Sequence, residues 1–163
     1  MKVGITCGAF DLCHFGHMLM FKECKEVCDH LVVLLHVDPS VAPKEYRGKK
    51  KNVPIMSLEE RRTMLEGVKY VDEIIVYNTE EDLYNILKER KPDIRIIGAD
   101  WKDKAYTGHD LPIEMYFNSR DHGFSTTELR QRIYNAERFI KIGEELNQQY
   151  DKEHNIRLRR DIN

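Results

Sequence analysis

The chain has 163 residues, of which 41% are hydrophobic and 33% are charged, and its net charge is −2 at neutral pH. These figures predict a soluble globular protein of about one domain. The near-neutral charge argues against a chain that is drawn as a whole to nucleic acid or to an anionic membrane. No apolar run is long enough to span a membrane and the amino end shows no signal-peptide pattern, so we expect a cytoplasmic protein.

The first predicted elements are a strand over residues 3–6 and a helix over residues 16–28, joined by a turn that contains glycine. Gly8 lets the backbone turn tightly after the strand. Gly16 stands where the helix begins, and its lack of a side chain would let a phosphate approach the N–H groups of the helix N-terminus. The turn is therefore a candidate phosphate site.

Histidines and cysteines concentrate around the same turn. His14 and His17 fall on one face as the helix starts, and the flanking strand and helix favour phosphate-binding imidazoles over two ordinary surface histidines. A metal site built on Cys13 and the two histidines would lack a fourth ligand, and the four cysteines match no zinc-finger spacing. Cys24 and Cys28 lie one helical turn apart, which favours two small buried hydrophobic residues.

The next strand leads into a strongly basic loop. Residues 31–37 form a continuous apolar run, typical of a strand that is buried on both faces of a parallel sheet. The loop over residues 38–54 leaves this strand at the same sheet edge as the histidine turn. Its cations could close over a triphosphate, although a merely solvated loop is the alternative. They are Lys44, Arg47, Lys49, Lys50 and Lys51.

A helix over residues 58–67 begins with a capping box, in which Ser57 is the N-cap and Glu60 stands three residues later. Its first turn holds Arg61 and Arg62, although the helix dipole disfavours cations at that end. This mismatch indicates a ligand-directed role for one of the two arginines. A surface ion pair with a neighbouring glutamate is the alternative.

A third strand ends near residue 76, Thr79 caps the helix that follows, and residues 94–97 form a fourth strand. Asp100 and Trp101 come just after this strand, again at the carboxyl edge. Asp100 could accept hydrogen bonds from a base, a ribose or a substrate hydroxyl. Trp101 either shapes the pocket of a second substrate or packs under the following loop.

Another helix N-terminus follows the fifth strand. Ser125 or Thr126 can cap it, and these hydroxyls together with Arg120 predict a second anion site. We expect this last helix to continue, with a break or bend near Gly143, to about Tyr150.

Five strands separated by helices, the last over residues 112–117, predict an α/β fold with a doubly wound parallel sheet and a C-terminal helical extension. The chain lacks both the G-x-G-x-x-G pattern of dinucleotide-binding folds and the G-x-x-x-x-G-K-[ST] pattern of P-loop proteins. A dehydrogenase and a P-loop kinase are therefore disfavoured.

Several segments also resemble the motifs of one family, the small nucleotidyltransferases. Residues 8–17 resemble its G-T-F-D-x-x-H-x-G-H signature, with Ala9 in place of Thr. Residues 59–62 resemble its E-x-R pattern, and residues 98–101 resemble G-D-D-W, with Ala99 for the first Asp. The cytidylyltransferases are the most similar members.

The last matching segment is residues 120–127, which resemble R-T-E-G-I-S-T-T. Asp121 and His122 replace the Thr and Glu of that motif. The resemblance implies a nucleotidyltransferase domain over residues 1–135, and residues 136–163 would form a helical extension of it.

The resemblance implies that the chain transfers CMP from CTP to a small phosphomonoester. The most similar members use glycerol 3-phosphate as this phosphomonoester and make CDP-glycerol. It also implies Mg²⁺ as cofactor and a homodimer, and no protein ligand to the metal is assigned. The implied catalytic residues are His14, His17, Lys44 and Arg61; the nucleotide-binding residues are Gly8, Ala9, Phe10, Gly16, Asp100, Arg120, Ser125 and Thr126; the substrate-binding residues are Asp11, Trp101, Asp121 and His122.

Two other functions stay open at this point. An adenylyltransferase that makes FAD or another dinucleotide would share the histidine signature, because that signature does not select the base. A non-catalytic nucleotide-binding module would keep the fold without turnover.

Overall fold

The computed structural model describes residues 1–41, 52–119 and 121–160, the side chains of residues 154–160 excepted. This part of the chain contains five strands and four α-helices. The strands are β1 (Val3–Gly8), β2 (His30–His36), β3 (Glu73–Tyr77), β4 (Ile94–Gly98) and β5 (Glu114–Asn118); the helices are α1 (Phe15–Val27), α2 (Leu58–Glu66), α3 (Glu80–Arg90) and α4 (Thr126–Arg160).

The five strands form one parallel sheet in the order β3-β2-β1-β4-β5. The chain moves outward from the central β1 to β2 and β3, and then returns to the other side of β1 for β4 and β5. This topology confirms the doubly wound α/β fold. It also creates a switch point at the carboxyl ends of β1 and β4, where open sheets of this type bind ligands.

Strand β2 shows why the sheet is covered on both faces. Leu31, Val33 and Leu35 belong to the hydrophobic cluster that includes α1 and α2 side chains. Val32 and Leu34 alternate with them and belong to a second cluster, formed with α3. Because successive side chains of a strand point to opposite faces, the continuous apolar run supplies both halves of the core.

The helix caps predicted from the sequence are present. Ser57 and Glu60 form the capping box of α2, and Thr79 forms the equivalent box of α3 with Asp82. Cys24 and Cys28 are buried in the core. Mainly because of this burial, the pKa of the Cys24 thiol is raised to about 12. Both cysteines therefore act as small hydrophobic residues at neutral pH.

Two predicted boundaries were wrong. Strand β5 begins at Glu114 rather than at Pro112, which has no N–H group to donate to the sheet. Helix α4 runs without interruption through Gly143 and ends at Arg160, ten residues beyond the predicted end. One glycine costs a helix about 1 kcal/mol relative to alanine, which does not suffice to end a long helix.

The chain divides into two compact units, Met1–Phe124 and the residues from Ser125 onward. The domain boundary after residue 135 stays a prediction. Among the described residues, no helix combines the length and the apolar character that crossing a membrane would require.

Gly4 in β1 provides a test of the core. A Cβ at Gly4 would lie 2.6 Å from Sγ of Cys28, so Gly4→Ala should lower the free energy of unfolding by about 1–3 kcal/mol through overpacking. Gly67→Ala is the matched control, because its Cβ would meet nothing closer than 3.5 Å and its φ is −80°. Urea denaturation measures both, and equal losses would contradict this packing.

Candidate active site

The turn between β1 and α1 is organised by a capping box made of two histidines. His14 is the N-cap of α1, and its Nδ1 accepts a hydrogen bond from the backbone N–H of Gly16 at 3.1 Å. In return, Nδ1 of His17 accepts from the backbone N–H of His14 at 3.2 Å. Such boxes usually pair a hydroxyl with a carboxamide or carboxylate, so two imidazoles in these places are unusual for capping alone.

This cap determines the tautomer of both rings. An Nδ1 atom that accepts a hydrogen bond carries no proton, so each neutral imidazole has its N–H at Nε2. The two rings stack with centroids 3.9 Å apart and planes inclined by 25°. The edge of Phe10 supports His17 at a centroid distance of 5.4 Å. The two rings are therefore held in one mutual orientation at the switch point of the sheet.

The backbone of the turn is strained at two positions. Phe10 and Leu12 have φ values of +50° and +53°, a region that residues other than glycine rarely adopt. Such conformations persist where the surrounding structure holds them, and they concentrate at functional sites. Phe10 is one anchor, because its ring is buried in the core and packs against Phe21.

His122 lies against the same turn. A Cβ at Gly16 would stand 2.9 Å from Cε1 of His122 and 3.1 Å from Cε1 of His14, so the two imidazoles flank this glycine. Nδ1 of His122 is buried and has no hydrogen-bond partner among the described residues. The close approach of these side chains thus favours glycine at this position, and the approach of a phosphate to Gly16 stays a prediction.

Arg61 is almost completely buried, with 2% of its surface exposed, and its guanidinium binds backbone carbonyls. Nη1 donates to the carbonyls of Ala9 at 2.9 Å and His36 at 2.7 Å. Nη2 donates to the carbonyl of Val37 at 2.5 Å, and Nε donates to that of Met56 at 3.2 Å. One side chain therefore joins the carboxyl ends of β1 and β2 to the segment before α2.

These bonds give Arg61 a structural use in addition to the ligand-directed role, which stays a prediction. Burial lowers the pKa of Arg61, while the carboxylates of Asp11 and Asp38 raise it. The neighbouring Arg62, and not Arg61, forms the surface ion pair, with Glu66 at 3.0 Å. Four of the five N–H groups of Arg61 are used on backbone carbonyls, so its role in this geometry is to position the site.

Asp11 complements Arg61 with the opposite charge. Its carboxylate is buried and accepts from the backbone N–H groups of Ile55 at 3.0 Å and Met56 at 2.9 Å. The sequence placed Asp11 among the substrate-binding residues, whereas these contacts fasten the histidine turn to the segment before α2. That segment follows the basic run of the loop directly in the chain.

The end of β4 contributes a second part of the same sheet edge. Asp100 and Trp101 lie in a short 3₁₀ helix, Ala99–Trp101, directly after β4. Asp100 is exposed, and Trp101 is partly exposed with Nζ of Lys104 at 5.9 Å from its ring centroid. Since β4 is the parallel neighbour of β1, these residues and the histidine turn occupy adjacent positions at the switch point.

Glu23 is a positioning residue that the sequence did not reveal. From α1, its carboxylate accepts from the backbone N–H of Ser119 at 2.8 Å and from the hydroxyl of Tyr116 at 3.0 Å. The pKa of Tyr116 is raised, mainly because its hydroxyl donates a hydrogen bond to Glu23. The end of β5, which leads to Asp121 and His122, is thereby tied to the histidine-bearing helix.

The remaining predicted site residues are less defined by the structure. Lys44 and Arg120 lie outside the described residues. Asp121 is exposed. Ser125 is the N-cap of α4, since its Oγ accepts from the backbone N–H of Glu128 at 3.1 Å, and Thr126 is the first residue of that helix.

Comparison with known proteins agrees with this architecture. A family model described as cytidylyltransferase-like matches residues 5–132. The glycerol-3-phosphate cytidylyltransferase of Bacillus subtilis (strain 168) is 32% identical over 133 residues, which are 82% of this chain and 98% of that enzyme. The bifunctional protein HldE of Campylobacter concisus (strain 13826) is 36% identical over 135 residues, which are 83% of this chain and 28% of that protein.

Among solved structures, the lipopolysaccharide core biosynthesis protein from Thermoplasma volcanium GSS1 is similar, with a TM-score of 0.50 and 27% identity. The match covers 83% of this chain and 88% of that one. The parallel sheet with a histidine turn at its switch point thus defines a nucleotidyltransferase domain. More narrowly, the chain belongs to the cytidylyltransferase-like family. It spans 28% of the length of the HldE proteins that it matches.

The positioning role of Arg61 can be tested against its neighbour. Arg61→Lys keeps the charge but loses the planar fork, and it leaves buried carbonyls without donors, so the free energy of unfolding should fall by about 2–4 kcal/mol. Arg62→Lys changes only a surface pair and should stay within about 0.5 kcal/mol of the parent. Urea denaturation measures the free energy of unfolding of both variants. An Arg61→Lys variant as stable as the parent would contradict the positioning role.

Proposed function

We propose that this chain transfers CMP from CTP to a small phosphomonoester with release of pyrophosphate, and that the phosphomonoester is glycerol 3-phosphate, giving CDP-glycerol. The family and the similarity to the Bacillus subtilis enzyme support this kind of reaction. The observation that carries the proposal is the two-histidine cap, because it sets two imidazole N–H donors at the switch point of the sheet.

The chemistry follows from charge. An oxygen of the phosphomonoester attacks the α-phosphorus of CTP in line, and the bond from that phosphorus to the bridging oxygen of the β-phosphate breaks. Pyrophosphate leaves with that electron pair. A phosphate dianion is nucleophilic at neutral pH, so catalysis depends on positioning and on stabilising charge in the transition state.

Each proposed site residue has a role in this scheme. His14 and His17 donate from Nε2 to the transferring phosphate and to the bridging oxygen. Lys44 and Arg120 supply positive charge to the triphosphate. The hydroxyls and the helix N-terminus at Ser125 and Thr126 provide further hydrogen-bond donors. Gly8, Ala9 and Phe10 form the backbone of the nucleotide-binding turn, and Asp100 accepts from the ribose or the base.

Arg61 and Asp11 act one step away from the reacting atoms. Arg61 binds the carbonyls of Ala9, His36 and Val37, and Asp11 accepts from the backbone N–H groups of Ile55 and Met56. The two side chains would therefore hold the backbone around the histidine turn in place before the nucleotide binds.

Magnesium fits this scheme as a companion of the nucleotide. Among the described residues, no group of three or more His, Cys, Asp or Glu side chains is arranged to hold a metal ion. Mg²⁺ commonly takes its ligands from substrate phosphates and water with only one or two carboxylates, so this donor set suits an ion that arrives on CTP. When bound, it would neutralise charge on the phosphates.

The acceptor is selected, in this proposal, by Trp101, Asp121 and His122. Asp121 and His122 replace the Thr and Glu of the family's R-T-E-G-I-S-T-T motif. His122 lies beside the histidine turn and so is close to the reaction. The homodimer, the cytoplasmic location and the lack of a nucleic-acid partner stay predictions.

Pyrophosphate release in the presence of Mg²⁺ tests the reaction. CTP and ATP are each combined with glycerol 3-phosphate, phosphocholine, phosphoethanolamine, sugar phosphates and FMN. We expect release only with CTP and glycerol 3-phosphate. CTP with a different phosphomonoester would keep the reaction and replace the acceptor, whereas ATP with FMN would make the protein an adenylyltransferase. Binding of CTP without turnover across the panel would indicate a non-catalytic module.

His14→Asn separates the two uses of His14. Asparagine is a good N-cap residue, so the variant should keep the start of α1 and its stability, but it lacks the imidazole N–H. Turnover should fall about a hundredfold to a thousandfold, as for the loss of one transition-state donor. His30→Asn, at the amino end of β2, is the control and should turn over normally. Normal turnover of His14→Asn would remove His14 from the chemistry.

A further inference from the structure

The crossover from β4 to β5 differs from the other three crossovers of the sheet. Parallel neighbours need a connection that returns from the carboxyl edge to the amino edge, and an α-helix usually makes it. Helices α1, α2 and α3 do so for the earlier strands. Residues 99–113, all of which the structure describes, contain only the short 3₁₀ helix Ala99–Trp101 and turns. We call residues 102–113 the β4–β5 connection, and side chains rather than a helix must hold it against the sheet.

A buried arginine lies under this connection. Arg95 of β4 has 3% of its surface exposed. Its neighbours Ile94 and Ile96 belong to the cluster that includes α1 and α2 side chains. Because side chains alternate along a strand, Arg95 points to the opposite face, that of α3. Its register partner in β1, Ile5, belongs to the cluster of that face. A guanidinium thus lies in the layer where a crossover helix would supply apolar side chains.

The guanidinium lies against three consecutive residues of the connection. Nη1 of Arg95 donates a hydrogen bond to the carbonyl of Thr107, and Cζ lies 5.4 Å from the ring centroid of Tyr106. Gly108 is buried and has a φ of +79°, and a Cβ there would lie 3.1 Å from the same Nη1. The positive φ and the close approach both favour glycine at this position. Arg95 is therefore packed against one tight turn, residues 106–108.

Helix α3 holds the same turn with an opposite charge. The hydroxyl of Thr107 donates to the carboxylate of Glu80, the first residue of α3. Further along the connection, the carboxylate of Asp110 accepts from the hydroxyl of Tyr84 at 2.9 Å. A cation from β4 and an anion from α3 thus bind one threonine. This arrangement parallels the buried cation and anion that hold the histidine turn.

The connection begins at the candidate site. Trp101 precedes it directly, after the carboxyl end of β4. The backbone N–H of Lys104 donates to the carbonyl of Trp101 at 3.1 Å, and Nζ of Lys104 lies 5.9 Å from the centroid of the Trp101 ring. Only Ala105 separates Lys104 from Tyr106, which packs against Arg95. The route from Arg95 to Trp101 is therefore short and continuous.

Stability alone does not explain a buried cation at this position. Replacing buried charges by apolar side chains of similar volume is often neutral or stabilising. An arginine supplies what an apolar residue cannot, namely rigid N–H donors that fix a backbone carbonyl in one position. The contribution of Arg95 is therefore to the arrangement of the connection.

We propose that Arg95 is a positioning residue for the acceptor side of the site. By binding the turn at residues 106–108, it holds the β4–β5 connection in one arrangement and thereby places Trp101 at the carboxyl edge before substrate binds. The effect on turnover rests on the proposed function, in which Trp101 helps to select the phosphomonoester. The effect on the connection itself does not depend on that function.

Arg95→Met separates positioning from stability, because methionine is a long apolar residue without a donor for the Thr107 carbonyl. We expect a urea midpoint close to that of the parent, since a buried charge is lost. The backbone amides of residues 102–111 should exchange with deuterated water about tenfold faster or more, whereas those of β1 and β2 should keep the rates of the parent. Arg90→Met is the matched control. Arg90 pairs with Glu73 on the surface, so this variant should leave the connection unchanged.

Arg95→Lys is the conservative variant. Lysine keeps the charge and one donor for a single carbonyl, although it lacks the planar fork. Its amides in the connection should exchange faster than those of the parent and more slowly than those of Arg95→Met. This order can be measured even where Arg95→Met lowers the urea midpoint.

Two further measurements connect Arg95 to Trp101 and to the acceptor. Trp101 is the only tryptophan of the chain, so acrylamide quenching of its fluorescence reports on this position without turnover. Quenching should be stronger in Arg95→Met than in the parent and in Arg90→Met. In pyrophosphate release with Mg²⁺, Arg95→Met should raise the KM for glycerol 3-phosphate about tenfold, while kcat and the KM for CTP change less than about threefold.

The outcomes separate the two proposals. Exchange and quenching like those of the parent in Arg95→Met would show that Arg95 does not hold the connection. Faster exchange with an unchanged KM for glycerol 3-phosphate would show that the connection does not serve the acceptor, and either result overturns the positioning role. A parent chain that releases no pyrophosphate with any substrate pair would refute the proposed function and the acceptor role together. Exchange and quenching would still decide whether Arg95 holds the connection.

Discussion

The candidate site depends on the buried guanidinium of Arg61. The carbonyls of Ala9, His36 and Val37 lie at the end of β1 or β2 or just beyond it, and a buried carbonyl without a donor is costly. Arg61 satisfies several of them with one rigid fork of donors, while Asp11 satisfies backbone N–H groups of the segment before α2. One cation and one anion thus hold three chain segments in place at the carboxyl edge.

The histidine turn exploits this support. Its backbone passes through two left-handed residues, and its imidazoles are used as helix caps, so both the path of the chain and the orientation of the rings are set before any ligand binds. Donors that need no reorganisation are more effective in a transition state than mobile ones. Glu23 holds the end of β5 in place in the same way, through its hydrogen bond from the backbone of Ser119. His122 follows this end of the strand and lies against Gly16 of the histidine turn.

The two units of the chain are stabilised differently. The first has a sheet whose two faces are each covered by a hydrophobic cluster. The second is one long helix on which seven large apolar residues are exposed.

Local patterns in the sequence were sufficient to predict the strands, the caps at Ser57 and Thr79, and the histidine turn between β1 and α1. Residues within one or two helical turns, or along one strand, determine these features. The uses of Arg61, Asp11 and Glu23 were decided only by the tertiary structure. Arg61 reaches Ala9 across 52 positions, Asp11 reaches Ile55 across 44, and Glu23 reaches Ser119 across 96. A charged residue that satisfies distant backbone groups looks the same in sequence as one that meets a ligand, since only the folded chain brings its partners within hydrogen-bond distance.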